Sequence, residues 1–160
     1  YDVSLSVTWA GAVYTKSVAR LITVKEELLS GKVCCWGVLP GSEVHNVKKI
    51  AAGYYHILTL KDDGSLESWV RPGYDNWGIT AVPEGTGFVD IDATNNRSLV
   101  LRPDGSMYSW GFNYSGSTSV PGGNDFVAIA AGGYHNVGLR SDGSLAAAGR
   151  STSGNLNCPR

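Results

Sequence analysis

Three observations in this 160-residue sequence predict an all-β fold, a β-propeller built from four blades of four antiparallel strands. The first is a repeat. The order Phe126-Val127-Ala128-Ile129-Ala130-Ala131-Gly132-Gly133-Tyr134-His135, then Asp142-Gly143-Ser144, follows Phe88-Val89-Asp90-Ile91-Asp92-Ala93-Thr94, then Asp104-Gly105-Ser106 and Trp110-Gly111. Before these come Val47-Lys48-Lys49-Ile50-Ala51-Ala52-Gly53-Tyr54-Tyr55-His56, Asp63-Gly64-Ser65 and Trp69. The second is the period: Gly64 to Gly105 is 41 residues and Gly105 to Gly143 is 38, the range of solenoids, propellers and arrays. The third is the Asp-Gly pair in each copy, a hairpin signal between two short strand-like runs. Four short strands and one such hairpin per copy describe a propeller blade.

Taken in order, the chain divides into repeats of about 1–43, 44–84, 85–123 and 124–160 within one propeller domain. The first is worn: Trp9-Ala10-Gly11, Ser30-Gly31-Lys32 and Cys35-Trp36-Gly37 stand where the others have Ala-Ala-Gly, the Asp-Gly turn and Trp-Gly. Val3, Leu5, Val7 and Trp9 alternate with polar residues and predict a half-buried strand. Residues 17–24 and 32–36 predict two more, and Lys25 to Leu29 is too short to stand alone as a helix. In each later copy the first strand is the apolar Val-x-x-Ile-Ala-Ala segment, whose small side chains let backbones approach closely. The second strand runs from His56, Arg97 or His135 to Leu60, Leu101 or Leu139, and the third from Ser65, Ser106 or Ser144. The fourth precedes Val82-Pro83, Val120-Pro121 or Cys158-Pro159. Trp36, Trp69 and Trp110 share one position and are expected to be buried between sheets.

Composition narrows the functional classes. With 13 Lys plus Arg against 14 Asp plus Glu the formal charge is −1, and no basic stripe marks a nucleic-acid binder. No apolar run is long enough for a membrane-crossing helix, so no membrane association is expected. A chain beginning at Tyr1 reads as a processed protein or an excised piece, and an extracellular or secreted setting is favoured. The three cysteines, Cys34, Cys35 and Cys158, read as packing residues, with one disulfide pair or a reactive thiol as the alternative.

No catalytic constellation emerges, and a non-enzymatic protein without metal or cofactor is expected. His56 and His135 occupy one repeated position, which Arg97 takes in the third copy, and the two histidines read as hydrogen-bonded to backbone between blades. Asp63, Asp104 and Asp142 read as turn residues that bond their own backbone. Asn96-Arg97-Ser98 and Asn113-Tyr114-Ser115 match the glycosylation acceptor pattern, which arises often by chance.

The recurring Ala-Gly-x-x-His segment, Asp-Gly turn and Trp-Gly segment resemble the regulator-of-chromosome-condensation repeat. In repeat length the chain is similar to bacterial members such as β-lactamase inhibitory protein II. The likeness covers about residues 31–160. Thr94-Asn95-Asn96-Arg97 departs from the Ala-Gly-x-x-His pattern, and Ala148-Gly149 and Trp69-Val70 depart from Trp-Gly. The resemblance implies a propeller of the seven-bladed type, of which four repeats are a part. Another chain or a longer parent chain would then complete the ring.

Loops give the candidate site. Tyr54, Tyr55, Asn95, Asn96, Arg97 and Tyr134 follow first strands and are expected on one rim, a position that in inhibitor-like relatives carries aromatic residues touching the partner. Tyr74, Trp77 and Tyr114, with Phe112, form a second set after third strands. Tyr, Trp and Arg dominate protein interfaces. The sequence therefore points to a protein-binding module, inhibitor-like or scaffold. A carbohydrate-binding propeller is the alternative, and a guanine-nucleotide-exchange or chromatin role the third.

Overall fold

The computed structural model describes the strands at 4–9, 12–17 and 31–35, then residues 43–75 and 77–151, and residue 156. The chain is all-β, made of antiparallel sheets arranged as propeller blades. Twelve strands are described: β1 (Ser4–Trp9), β2 (Ala12–Ser17), β3 (Gly31–Cys35), β4 (Glu43–Ala52), β5 (His56–Lys61), β6 (Leu66–Val70), β7 (Asp90–Thr94), β8 (Arg97–Leu101), β9 (Met107–Gly111), β10 (Phe126–Ala131), β11 (His135–Arg140) and β12 (Leu145–Gly149). Strands β7-β8-β9 and β10-β11-β12 form two separate three-stranded sheets. The remaining six form one sheet in the order β2-β1-β3-β4-β5-β6.

Two expectations need correction. Among the described residues no fourth strand follows β6, β9 or β12. After β6 and β9, where one was expected, turns bond within themselves: Ala81 N donates to Gly78 O, and Ser117 N to Tyr114 O. Gly78, Ser115 and Gly116 all have positive φ, which a strand does not tolerate. The boundary expected near residue 43 is also not a sheet boundary. Strand β4 has ten residues, and its first half pairs with β3, Cys34 opposite Glu43 and Val33 opposite Val44. Strand β2 was not foreseen. Most of the strand expected over 17–24, the segment 25–29, Trp36, Gly154, Cys158 and Pro159 lie outside the described residues. Among those residues, β12 pairs with β11 alone.

Each blade meets the next through the middle strand, and the period-2 alternation of a strand explains how. In β8 all five residues are buried because both faces are covered. Val100 packs with Ala51, Leu58, Leu60, Phe88, Ile91 and Trp110 in the seam toward β4–β6. Leu99 and Leu101 join Met107 and Phe126 in the seam toward β10–β12. The same alternation puts Gly138 in that second seam. A Cβ there would overlap the Phe126 ring and the Met107 sulfur, so glycine makes room for two large neighbours.

The Asp-Gly hairpins take a form that the sequence left open. Gly64 N donates to Lys61 O at 2.9 Å, Lys61 N donates to Ser65 O at 2.9 Å, and only the glycine, φ 77°, is left-handed. That is a type I turn closed by a glycine bulge, a three-residue hairpin loop. Asp63 Oδ1 accepts from the Ser65 backbone N–H and hydroxyl, and Asp104 does the same with Ser106. These bonds hold the carboxyls of Asp63, Asp104 and Asp142 below the usual carboxylate range, the serine hydroxyl being the largest cause.

The tryptophan position is only partly uniform. Trp110 is 6% exposed and its indole N–H donates to the carbonyl of Ile79 at 2.9 Å, tying β9 to the loop of the preceding repeat. Trp69 is half-buried. Trp110→Ala is therefore expected to cost about 3–5 kcal/mol, and Trp69→Ala distinctly less. Urea denaturation of both variants measures the difference; equal losses would show that the seam contact of Trp110 adds nothing.

Candidate functional site

Antiparallel strands fix which loops meet. The chain leaves β7 at Thr94, turns through Asn95 and Asn96, descends β8, reverses at the Asp-Gly turn, and climbs β9 to Gly111. Loops after first strands and loops after third strands therefore share one rim, and the Asp-Gly turns occupy the other. The two loop sets that the sequence separated form one surface.

Aromatic contacts make that surface continuous in two runs. Tyr54 meets Tyr55 edge-on with centroids 4.6 Å apart, and Tyr55 lies 4.1 Å from Tyr74. Trp77 is 5.1 Å from Phe112, Phe112 stacks on Tyr114 at 6.2 Å, and Tyr114 is 6.0 Å from Tyr134. Between the runs lies a cleft of about 240 Å³ lined by Tyr54, Asn95, Asn96, Arg97, Phe112, Ser117, Gly133 and Tyr134. Arg71 sits over the Tyr74 ring at 4.9 Å, and Arg150 over Tyr114 at 4.7 Å and Tyr134 at 5.5 Å.

The expected site residues fall into three groups. Tyr54, Trp77, Tyr114 and Tyr134 are exposed, Tyr54 at 69%. Tyr55, Tyr74 and Asn96 are half-buried and support them. Arg97 differs from the expectation of a contact residue: it is 3% exposed. Its guanidinium donates to the carbonyls of Ser117, Gly132 (2.7 Å) and Gly133 (3.2 Å), so it fastens the next blade and forms the cleft floor. Burial lowers its pKa, and Tyr134 raises it in part. Phe112, Arg71 and Arg150 belong to the surface as well. The signal for the two arginines was their register, since Arg71 N, Phe112 N and Arg150 N donate to Tyr55 O, Asn96 O and Tyr134 O in equivalent bonds.

His56 is a seam residue. Its Nε2 lies 2.9 Å from Ser98 Oγ of the next blade, an inter-blade bond to a side chain. Nδ1 has no partner within hydrogen-bond geometry. The imidazole packs back on Gly53, where a Cβ would overlap it, and His135 packs on Gly132 in the same way. This is a physical reason for the Gly-x-x-His spacing. It also accounts for the departure in the third repeat: with Arg97 in place of histidine, no ring lies over position 94 and a threonine fits. No group of three or more metal-ligating side chains occurs among the described residues.

Blades of antiparallel strands docked face to face through their middle strands define a β-propeller repeat protein. Residues 88–117 and 126–155 match the sequence model of the regulator of chromosome condensation (RCC1) repeat, so these two segments are RCC1-like repeats. Protein pim1 of Schizosaccharomyces pombe is 30% identical over 92 residues, covering 43% of this chain and 17% of pim1. Among solved structures, the CRINKLY WD40 ectodomain of the Arabidopsis thaliana receptor kinase ACR4 is similar at 22% identity and TM-score 0.55, covering 75% of this chain and 46% of that one. Prp20p of Saccharomyces cerevisiae is similar at 18% identity and TM-score 0.56, covering 84% and 48%. The chain therefore spans less than half the length of each, and the structural likenesses establish the fold.

Burial pushes the His56 pKa down from 6.5 to about 4, against smaller upward pulls from the Asn95 backbone and Asp75. The folded state thus holds His56 neutral where the unfolded chain protonates it. The stability from this group is complete above pH 6.5 and is lost as pH falls toward 4, about 3 kcal/mol in all. Denaturation midpoints between pH 4 and 7 are expected to slope for the parent chain and to flatten for His56→Gln; an unchanged slope would locate the titration elsewhere.

Proposed function

We propose that the loop rim binds a protein partner without catalysing a reaction on it. The observation that carries this reading is the continuity of the aromatic surface, from Tyr54 to Tyr74 on one side of the cleft and from Trp77 to Tyr134 on the other. Rigid aromatic side chains bring contact area at low entropic cost, and arginines stacked on them are the other common hot-spot residue. A carbohydrate site would be expected as a pocket repeated blade by blade. Here the rings pack on one another along the rim instead, and the cleft lies at one seam. Prp20p has Gsp1p and histones among its partners. That precedent is in keeping with protein binding but fixes no partner for this chain, and an inhibitor-like, scaffold or exchange-factor use remains a matter of who the partner is.

A photo-cross-linking amino acid in place of Tyr54 or Tyr114 is expected to capture a protein partner, whereas one in place of Asp104 on the opposite rim captures none. Tyr54→Ala combined with Tyr134→Ala should weaken capture about tenfold or more and leave the circular dichroism spectrum unchanged. Binding to a glycan array that the same double variant abolishes would replace the protein partner with a carbohydrate.

A further inference from the structure

The two rims expose different kinds of apolar surface. Among the described residues the exposed aliphatic side chains Val89, Val127, Leu139 and Leu145 stand at the turn end of their strands, whereas the rim around the cleft exposes rings: Tyr54, Trp77, Phe112, Tyr114 and Tyr134. Hydrogen-bonding capacity at the loop rim is one-sided as well. Backbone carbonyls bordering the cleft are already engaged: Tyr55 O, Asn95 O, Asn96 O and Tyr134 O accept from Arg71 N, Tyr54 N, Phe112 N and Arg150 N, and the Arg97 guanidinium takes those of Ser117, Gly132 and Gly133. Asn96 lines the cleft with its Oδ1 enclosed and without a partner, so of its amide only Nδ2 can meet a ligand. The Trp77 indole N–H and the hydroxyls of Tyr114 and Tyr134 are further donors, not engaged among the described residues.

Resting on the protein-binding reading above, we propose that the segment of the partner held at the loop rim is a proline-rich stretch in the polyproline II conformation. A prolyl residue keeps its carbonyl and has no backbone N–H, so a run of prolines brings acceptors to a surface that offers donors and leaves no donor of its own unpaired. In polyproline II the carbonyls make no bond within the chain and stand open to the Asn96, Trp77 and tyrosine donors. Its pyrrolidine rings present apolar faces to the aromatic rings, and the conformation exists before binding, so little order is lost on association. Other modes of peptide capture fit this rim less well. A strand added to a sheet needs an edge with free N–H and C=O groups, and the rim consists of loops whose carbonyls are engaged. An amphipathic helix seats its apolar face in a hydrophobic groove, and this cleft is floored by Arg97 and lined by Asn95, Asn96 and Ser117 beside its rings.

The test measures fluorescence anisotropy of the chain with four labelled peptides of equal length: L-decaproline, D-decaproline, an alternating Ser–Gly peptide and a helical Leu–Lys peptide. L-decaproline is expected to bind at least about tenfold tighter than the Ser–Gly peptide, which lacks its rings and its preformed conformation. D-decaproline, with the same composition and the opposite hand, should bind at least about tenfold more weakly than the L form. Trp77→Phe and Tyr114→Phe, which keep a ring and remove a donor, should each weaken L-decaproline binding several-fold. Tyr108→Phe should not, since Tyr108 is exposed toward the turn end of β9. Equal binding of the two decaprolines, or no effect of the two donor-removing variants, would overturn the proposal. L-decaproline binding no tighter than Ser–Gly, while a cross-linker at Tyr54 still captures a protein, would overturn the proline preference and spare the protein-binding rim. Tighter binding of the Leu–Lys peptide would overturn it in favour of a helical ligand.

Discussion

The covering of each middle strand on both faces is the constraint from which the rest of this structure follows. In β8, Ser98 and Val100 look back to the preceding blade, while Arg97, Leu99 and Leu101 look forward to the next. Every residue of such a strand belongs to one of two seams, so its size and polarity are set by a neighbour some forty residues away. Gly138 yields to Phe126 and Met107 in this way. Most polar groups that enter a seam find partners there, His56 Nδ1 and Asn136 Oδ1 being exceptions. Arg97 takes three carbonyls, Asn136 donates to Ser117 O and Ser119 O, and Asp92 accepts the Ala131 backbone N–H at 2.7 Å. A buried polar group without such partners would cost more than the seam gains from it.

That constraint also decides what the sequence could reveal. The repeat, its three strong strands and the Asp-Gly turn were legible because each is a local pattern: alternation, an apolar run, a turn residue. The fourth strand was not, because apolar residues such as Ile79 and Val82 are buried equally well by a loop, and only the positive φ at Gly78 distinguishes the two. Pairing of β3 with β4 was illegible for a similar reason, since two neighbouring strands do not state whether they share a sheet. At the site, the loops were found but their union was not. Arg97 looked like a surface arginine in a polar loop, and its burial became visible only once Gly132 and Gly133 were brought across the seam.

The glycine positions show how a departure from a repeat can be lawful. Gly53 and Gly132 lie under the imidazoles of His56 and His135, a close approach that a side chain would block. Thr94 occupies the same place where the following functional position is Arg97, whose long side chain reaches across to the next blade instead of folding back. The two changes belong together. A substitution at either position alone leaves a clash or an unfilled space, so the pair behaves as one element of the seam.

The two ends of the strands differ in what their connecting segments do. At the turn end each Asp-Gly-Ser unit satisfies its own groups, and the first two dock on the next blade, Phe88 N donating to Gly64 O and Phe126 N to Gly105 O. Its carboxylates are committed to the turn. At the loop end the segments vary in length and sequence, yet they are not loose appendages. Tyr54 N donates to Asn95 O at 2.7 Å, Asn95 Nδ2 to Gly133 O at 3.2 Å, and Arg97 gathers Ser117, Gly132 and Gly133. The aromatic surface therefore rests on the same bonds that close the seams, so its rings are held in place before any ligand arrives. Pre-organisation of this kind lowers the ordering cost of association. In the protein-binding reading proposed above, Arg97 would act through the positions of the exposed rings.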